Sequence, residues 1–198
     1  LELLDRKYVK VSSLSLRCFV GILRFGLPSI ERHCRELGVK LFVLLRTFSS
    51  ASTSSAARLS SSGDNFELLT VCYKLMSSLI RDCAHFSLTD EQLQVLLHGC
   101  ERNLYDVHKQ AATFNLLKAI VSRRLECDEL TDVIGRVMKL SIQAESAAVR
   151  VQSRQTVMSY VVSYCMKSSN EQRLVKIVEF YVVQLNYEYE DGRESAIE

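Results

Sequence analysis

The apolar positions of residues 105–124 recur with the period of an α-helix. They step by 4, 3, 3 and 4 residues, which places them on one face of a 3.6-residue turn: Val107, Ala111, Phe114, Leu117 and Val121. Further apolar residues widen this face, so we expect neighbours to cover the helix on two sides. Only a polar strip should meet solvent, formed by Lys109, Asn115, Lys118 and Arg123. The pattern predicts a helix over residues 106–124.

The same periodicity continues through most of the chain. It predicts further helices over residues 8–25, 28–48, 66–85, 90–103, 129–143, 147–165 and 170–187. Thr89-Asp90-Glu91-Gln92 and Ser169-Asn170-Glu171-Gln172 have the capping-box sequence that opens a helix. No segment reads convincingly as a strand. The order is therefore helix, turn, helix, repeated.

A short template recurs along this series of helices. It consists of an apolar or small residue, a basic residue, two free positions and a small residue, and it begins at Val9, Val107, Val149 and Gly192. A weaker copy with an acidic residue begins at Phe66. The starts at 9, 66, 107, 149 and 192 give steps of 57, 41, 42 and 43 residues, and the long step contains a Ser-rich run of 15 residues. Without that run the period is close to 42 residues, which is typical of two-helix HEAT and armadillo repeats.

The small residue of the template has a physical reason, because two helices approach closely only where a side chain is short. It is represented by Ser13, Thr70, Ala111, Ser153 and Ala196. We therefore predict an all-α, HEAT/armadillo-like helical-repeat solenoid of about four to five repeats. A single solenoid segment would span residues 1–198, with a flexible Ser-rich insertion at residues 49–63, where eight of fifteen residues are Ser.

Composition narrows the class of protein. The net charge of +2 gives no electrostatic footprint for general nucleic-acid binding, although local RNA contact remains open. Seven widely spaced Cys without a Cys-x-x-Cys pair favour a reducing compartment, with neither a disulfide framework nor a zinc site. No apolar run is long enough for a transmembrane helix, and no signal peptide is evident. We expect a segment of a longer protein.

A search for chemistry finds no catalytic or cofactor motif. There is no Gly-rich phosphate loop, no nucleophile elbow and no metal-ligand spacing, so we expect no cofactor, no small-molecule substrate and no enzyme activity. The four basic template residues are the candidate contacts. Stacked repeats would align them as a basic ladder, which we define as Lys10, His108, Arg150 and Arg193.

Two interpretations of the basic ladder remain open at this point. The ladder could pair with carboxylates of the same chain, for which Asp106 and Glu145 lie nearby. It could instead contact RNA phosphates or acidic partners. The acidic turn at residues 188–191 likewise fits either a solvated turn or a binding site.

Near the end of the chain lies the segment Leu185-Asn186-Tyr187-Glu188-Tyr189-Glu190-Asp191-Gly192-Arg193-Glu194-Ser195. It resembles the down-regulated-in-metastasis family, whose members are giant HEAT-repeat proteins of the small-subunit processome. Leu116-Leu117-Lys118-Ala119-Ile120-Val121-Ser122-Arg123, Gln92-Leu93-Gln94-Val95-Leu96-Leu97 and the residues 16–18, 23–25 and 27–29 are also similar to that family, in the same order. The resemblance lapses at the Ser-rich insertion and near residues 165–170.

The resemblance implies a nuclear, nucleolar scaffold without enzyme activity that is needed for maturation of small-subunit ribosomal RNA. Its partners would be preribosomal proteins, with pre-ribosomal RNA and small nucleolar RNA as further candidates. No binding residue carries over from the family. The alternative is a generic HEAT-repeat adaptor of the transport or phosphatase-scaffold type, against which the ordered family-like segments argue.

Overall fold

The computed structural model describes residue 4 and residues 8–27, 32–49, 62–166 and 171–198. Every regular element within these ranges is helical. In chain order they are α1 (Val9–Leu23), α2 (Cys34–Ser49), α3 (Ser62–Asp82), α4 (Asp90–Asn103), α5 (Gln110–Ser122), α6 (Asp128–Gln143), α7 (Ala147–Tyr160), α8 (Glu171–Gln184) and α9 (Glu190–Ile197). The predicted all-α helical-repeat class is confirmed.

The chain divides into two compact units, Leu1–Gln92 and Leu93–Glu198. In the first unit α3 packs against both α1 and α2. The core between these helices consists of apolar side chains that solvent hardly reaches, among them Leu16, Leu41, Leu75, Met76 and Leu79. Burial of such side chains is the main favourable term for helices of this length. That the chain forms one solenoid segment over residues 1–198 stays a prediction.

In the second unit α7 packs against α5 and α6, and α9 packs against α6 and α8. This alternation of layers is what a two-helix repeat requires, since each helix pair covers the next. Leu97, Leu116, Leu117, Ile120 and Val137 lie fully buried in its core. The apolar stripe predicted for α5 is correct at Phe114, Leu117 and Val121 but wrong at Val107 and Ala111, which are exposed.

The sequence located most helix ends within a few residues. The capping box at Thr89 is confirmed, because the Thr89 hydroxyl accepts from the backbone N–H of Gln92 and the Gln92 amide oxygen accepts from the N–H of Thr89, at 3.3 and 3.1 Å. Ser169 and Asn170 of the second capping box lie outside the described residues. So does most of the Ser-rich insertion, of which Ser49 closes α2 and Ser62 and Gly63 already belong to α3.

α7 does not run to residue 165 as an α-helix, because residues Val161–Met166 form a π-helical turn. Tyr160 and Tyr164 stack across it with ring centroids 4.7 Å apart. The Tyr164 hydroxyl donates to the carbonyl of Leu125 at 2.7 Å, which anchors this end of the helix to the turn that follows α5.

Candidate partner-binding edge

Arg150 and Arg193 make the same contacts one repeat apart. Nη1 of Arg150 donates to the carbonyl oxygens of Ala144 and Glu145, at 2.9 and 3.1 Å. Nη1 of Arg193 donates to those of Tyr187 and Glu188, at 2.8 and 3.0 Å. Each guanidinium therefore satisfies the carbonyls six and five residues before it, in the turn that leads into its own helix. We call this arrangement the turn clamp.

The turn before α5 has a third version of this contact, made by a neutral side chain. Nε2 of Gln110 donates to the carbonyl of Leu104, again six residues earlier, at 2.7 Å. The backbone supports the equivalence, because the N–H groups of Gln110, Arg150 and Arg193 bond to the carbonyl oxygens of Asp106, Ser146 and Tyr189, respectively. Gln110, Arg150 and Arg193 therefore occupy the same position in the first helical turn, each four residues after the residue whose carbonyl accepts its N–H.

The four members of the basic ladder occupy two different positions relative to the start of their helices, and we call each such position a register. The N–H of Ser12 bonds to the carbonyl of Tyr8, so Ser12, and not Lys10, is the equivalent of Arg150 in α1. Lys10 lies two positions after Tyr8, and His108 lies two positions after Asp106. Helical positions two apart face different directions. Lys10 and His108 therefore form one register of the ladder, and Arg150 and Arg193 form another.

The two registers differ in exposure. Lys10 has a side chain that is 79% exposed, and its Nζ lies 3.7 Å from Oδ2 of Asp64. His108 is also exposed, and its backbone N–H donates to Oδ1 of Asp106 at 3.0 Å. The Arg150 side chain is only 12% exposed, and Arg193 is partly buried. The first register thus presents its charge to solvent more fully than the second.

The carboxylates expected near the ladder have distinct roles. Asp106 caps the start of the α5 turn and pairs with Lys109, whose Nζ lies 2.9 Å from its Oδ2. The hydrogen bond from Lys109 is the main reason that the pKa of Asp106 lies below its usual value. Glu145 contributes its backbone carbonyl to the turn clamp. Asp191, from the acidic turn, binds Nη2 of Arg150 through Oδ2 at 2.8 Å.

Exposed aromatic and aliphatic side chains surround these turns. Tyr105, Val107 and Tyr189 lie well exposed beside the turn clamps. We define the turn edge as residues 104–110, 144–150 and 187–193. Aromatic side chains are enriched where proteins bind one another, so the exposed Tyr105 and Tyr189 make the turn edge a candidate partner surface. Its Gln110, Tyr105 and Val107 were missed because the template looked for a basic residue and for a buried stripe.

The second unit has two sizeable grooves. A polar groove of about 610 Å³ lies between α4 and α6, beside the ion pair of Glu101 with Arg136. A second groove, of about 550 Å³ and mostly apolar, lies among α7, α8 and α9. In the described ranges of the chain no three His, Cys, Asp or Glu side chains are grouped to hold a metal ion. None of the helices seen there is long and apolar enough to cross a membrane.

Comparison with known proteins gives two curated relatives and no matching family model. The chain is 23% identical over 198 residues to the U3 small nucleolar RNA-associated protein 20 of Schizosaccharomyces pombe, which covers 95% of this chain and 8% of that protein. It is 30% identical over 132 residues to the protein of the same name from Saccharomyces cerevisiae, which covers 67% of this chain and 5% of that protein. The chain thus spans less than a tenth of either relative.

Proposed function

We propose that this chain is a non-enzymatic scaffold segment that acts in ribosome biogenesis, within the small-subunit processome of the nucleolus. The observation that carries the proposal is the similarity to U3 small nucleolar RNA-associated protein 20 over 95% of the chain. The helical-repeat architecture supports it, because stacked repeats offer an extended surface that grows with their number. The processing of small-subunit ribosomal RNA is the step that the scaffold would serve.

The turn edge supports a binding role in preference to catalysis. Its two arginines hold the turns before their helices, and Arg150 also joins α7 to α9 through Asp191. A catalytic acid or base would instead need to reach a bound substrate. The exposed side chains between these groups, Tyr105, Val107 and Tyr189, fit contacts with preribosomal proteins.

Contacts with pre-ribosomal RNA or small nucleolar RNA would use the basic ladder. Lys10 and His108 are the members whose side chains are exposed enough to meet a phosphate without leaving a buried partner. Arg150 and Arg193 would contribute mainly by fixing the turns that carry such contacts. Because few charges are involved, the RNA contribution of this segment should be local.

Affinity purification of the tagged full-length protein from cells tests the proposal. The U3 small nucleolar RNA should be enriched at least tenfold over an unrelated small nucleolar RNA of similar abundance, together with precursors of small-subunit ribosomal RNA. Depletion of the protein should lower the yield of mature small-subunit ribosomal RNA, and re-expression should restore it. Recovery of transport factors alone, with U3 RNA at the control level, would contradict the proposal.

A pair of double variants tests the exposed register of the ladder, Lys10 and His108. Lys10→Glu with His108→Glu should lower the ribosomal RNA that crosslinks to this segment while leaving its helix content unchanged. Arg17→Glu with Arg136→Glu is the control, since it likewise introduces two glutamates at exposed basic positions elsewhere on the helices. An equal loss of crosslinked ribosomal RNA in both double variants would show that the ladder contributes only nonspecific charge.

A further inference from the structure

Two thiols of the first unit lie close together in its core. Sγ of Cys34, at the first residue of α2, is 3.2 Å from Sγ of Cys83, the residue that follows α3. The side chains are separated by 49 residues in sequence and are almost inaccessible, with 2% and 4% of each residue exposed. The distance lies within reach of a hydrogen bond between thiols, and a disulfide would require the sulfurs to approach by only about 1.2 Å more.

The surrounding packing holds the two sulfurs in place. Gly38, one helical turn after Cys34, lies so close to the Phe86 ring that a Cβ atom there would overlap the ring. Phe86 is buried, and its N–H donates to the carbonyl of Cys83 at 3.1 Å. The contact of Gly38 with Phe86 and the contact of Cys34 with Cys83 therefore fix the same stretch of α2 against the end of α3.

We propose that Cys34 and Cys83 are a reversible redox pair that forms a disulfide when a small peroxide reaches the core of the first unit. One thiol gives up its proton, and its thiolate attacks the peroxide; the departing hydroxide (or alkoxide) takes that proton to leave as water (or an alcohol), and the sulfur becomes a sulfenic acid. The second thiolate then attacks that sulfur and displaces hydroxide, which takes a proton to give water. The sulfurs lose two electrons in total, and these reduce the peroxide. A dithiol reductant reverses the reaction.

The bond would join α2 to the end of α3 and close a loop that contains all of residues 49–63. Cross-linking across such a loop removes conformations from the unfolded chain, so the oxidised protein should unfold at a higher urea concentration. The two residues remain thiols under reducing conditions, which agrees with the absence of a disulfide framework in the sequence. The proposal is independent of the function proposed above.

Peroxide titration of the full chain, followed by thiol blocking and tryptic mapping, tests the pair directly. Trypsin releases Cys34 in the peptide of residues 33–35 and Cys83 in the peptide of residues 82–102. These two peptides should appear linked, with loss of two hydrogen atoms, while the far-UV circular dichroism stays native. Fragment ions assign the link to Cys83 or to Cys100 of the same peptide. Exposed Cys18 serves as an internal measure of the oxidant dose.

Variants and the urea midpoint complete the test. Cys72→Ser, at a buried thiol whose pKa burial raises to about 12, should keep the linked peptides and the upward shift of the urea midpoint. Cys83→Ser should abolish both. If Cys34 and Cys83 remain unlinked at doses that oxidise Cys18, or if the links distribute equally over Cys72 and Cys100, the proposal fails. The peptide map of the unsubstituted chain decides the question even where a variant fails to fold.

Discussion

Arg150, in the first turn of α7, and Asp191, in the first turn of α9, are joined by an ion pair of 2.8 Å between Nη2 and Oδ2. The same guanidinium holds the turn before α7 through Nη1. One side chain thus ties the start of its own helix to the start of the helix 41 residues further on. The basic residue of one repeat and the acidic residue of the next form a direct link between neighbouring repeats.

Arg150→Ala should lower the free energy of unfolding of the second unit by about 2 kcal/mol, since hydrogen bonds to a charged group are lost and two turn carbonyls lose their partner. Urea unfolding followed by circular dichroism measures the change. Arg136→Ala is the control, because the Arg136 side chain is 46% exposed, against 12% for Arg150, and its loss should cost less than about 1 kcal/mol. Equal losses of unfolding free energy in the two variants would show that the turn clamp does not stabilise the second unit more than an exposed ion pair does.

Gly192→Ala should lower the free energy of unfolding by about 1–3 kcal/mol through overpacking. A Cβ atom at this position would overlap the Tyr187 ring and lie 3.1 Å from the carbonyl oxygen of Ile142. Gly135→Ala, in α6, is the control: nothing lies within 4 Å of its Cβ, and the helix should gain up to about 1 kcal/mol. Both thermal and urea denaturation should therefore show that Gly192→Ala lowers the free energy of unfolding and that Gly135→Ala raises it. A stabilising Gly192→Ala would show that α9 and α6 are not in close contact.

The start of α5 should lose stability in acid. The Asp106 carboxylate is held by Lys109, so its folded pKa lies below the unfolded value of 3.8, and the stability that it contributes is present above that value. This contribution disappears as the pH falls through the lower folded pKa. The difference in unfolding free energy between the native chain and Asp106→Asn should accordingly shrink between neutral pH and pH values below 3.8. Lys109→Gln should suppress most of that pH dependence, and a difference that is constant with pH would contradict the assignment.

The capping box of α4 should contribute measurably to the stability of that helix. Thr89→Ala removes the hydroxyl that accepts from the Gln92 N–H and should cost about 1 kcal/mol. Ser87→Ala, in the exposed loop just before it, should change little. Hydrogen exchange of the first α4 amides reports the effect locally. Unchanged protection in Thr89→Ala would mean that backbone packing alone holds the helix start.

The fold class followed from the sequence because its signals are local. Helical periodicity and capping chemistry act within a few residues, so α4 and its Thr89 cap could be located closely. The order of helices and the period near 42 residues then determined the repeat class. The π-helical end of α7 could not be foreseen, since it accompanies the stacking of Tyr160 on Tyr164 and the contact of Tyr164 with Leu125.

The candidate site was predicted less completely than the fold. The template aligned His108 with Arg150 by charge, whereas the structure aligns Gln110 with Arg150 by hydrogen bonding to the preceding turn. The small residue equivalent to Ser153 is correspondingly Thr113, which is fully buried, and not the exposed Ala111. A polar side chain of any charge can hold a carbonyl, so a search for basic residues alone cannot find the register.

Crosslinking of the full-length protein in cells, with sequencing of the bound RNA and mapping of the crosslinked peptides, tests whether this segment binds partners within the small-subunit processome. We expect crosslinks from this segment to preribosomal proteins along the turn edge. RNA crosslinks, where they occur in this segment, should fall on U3 or pre-ribosomal RNA at peptides that contain Lys10 or His108. The absence of preribosomal proteins and of U3 RNA from every crosslink of the full-length protein would contradict the proposed role in ribosome biogenesis. The helical-repeat fold would be unaffected by that result.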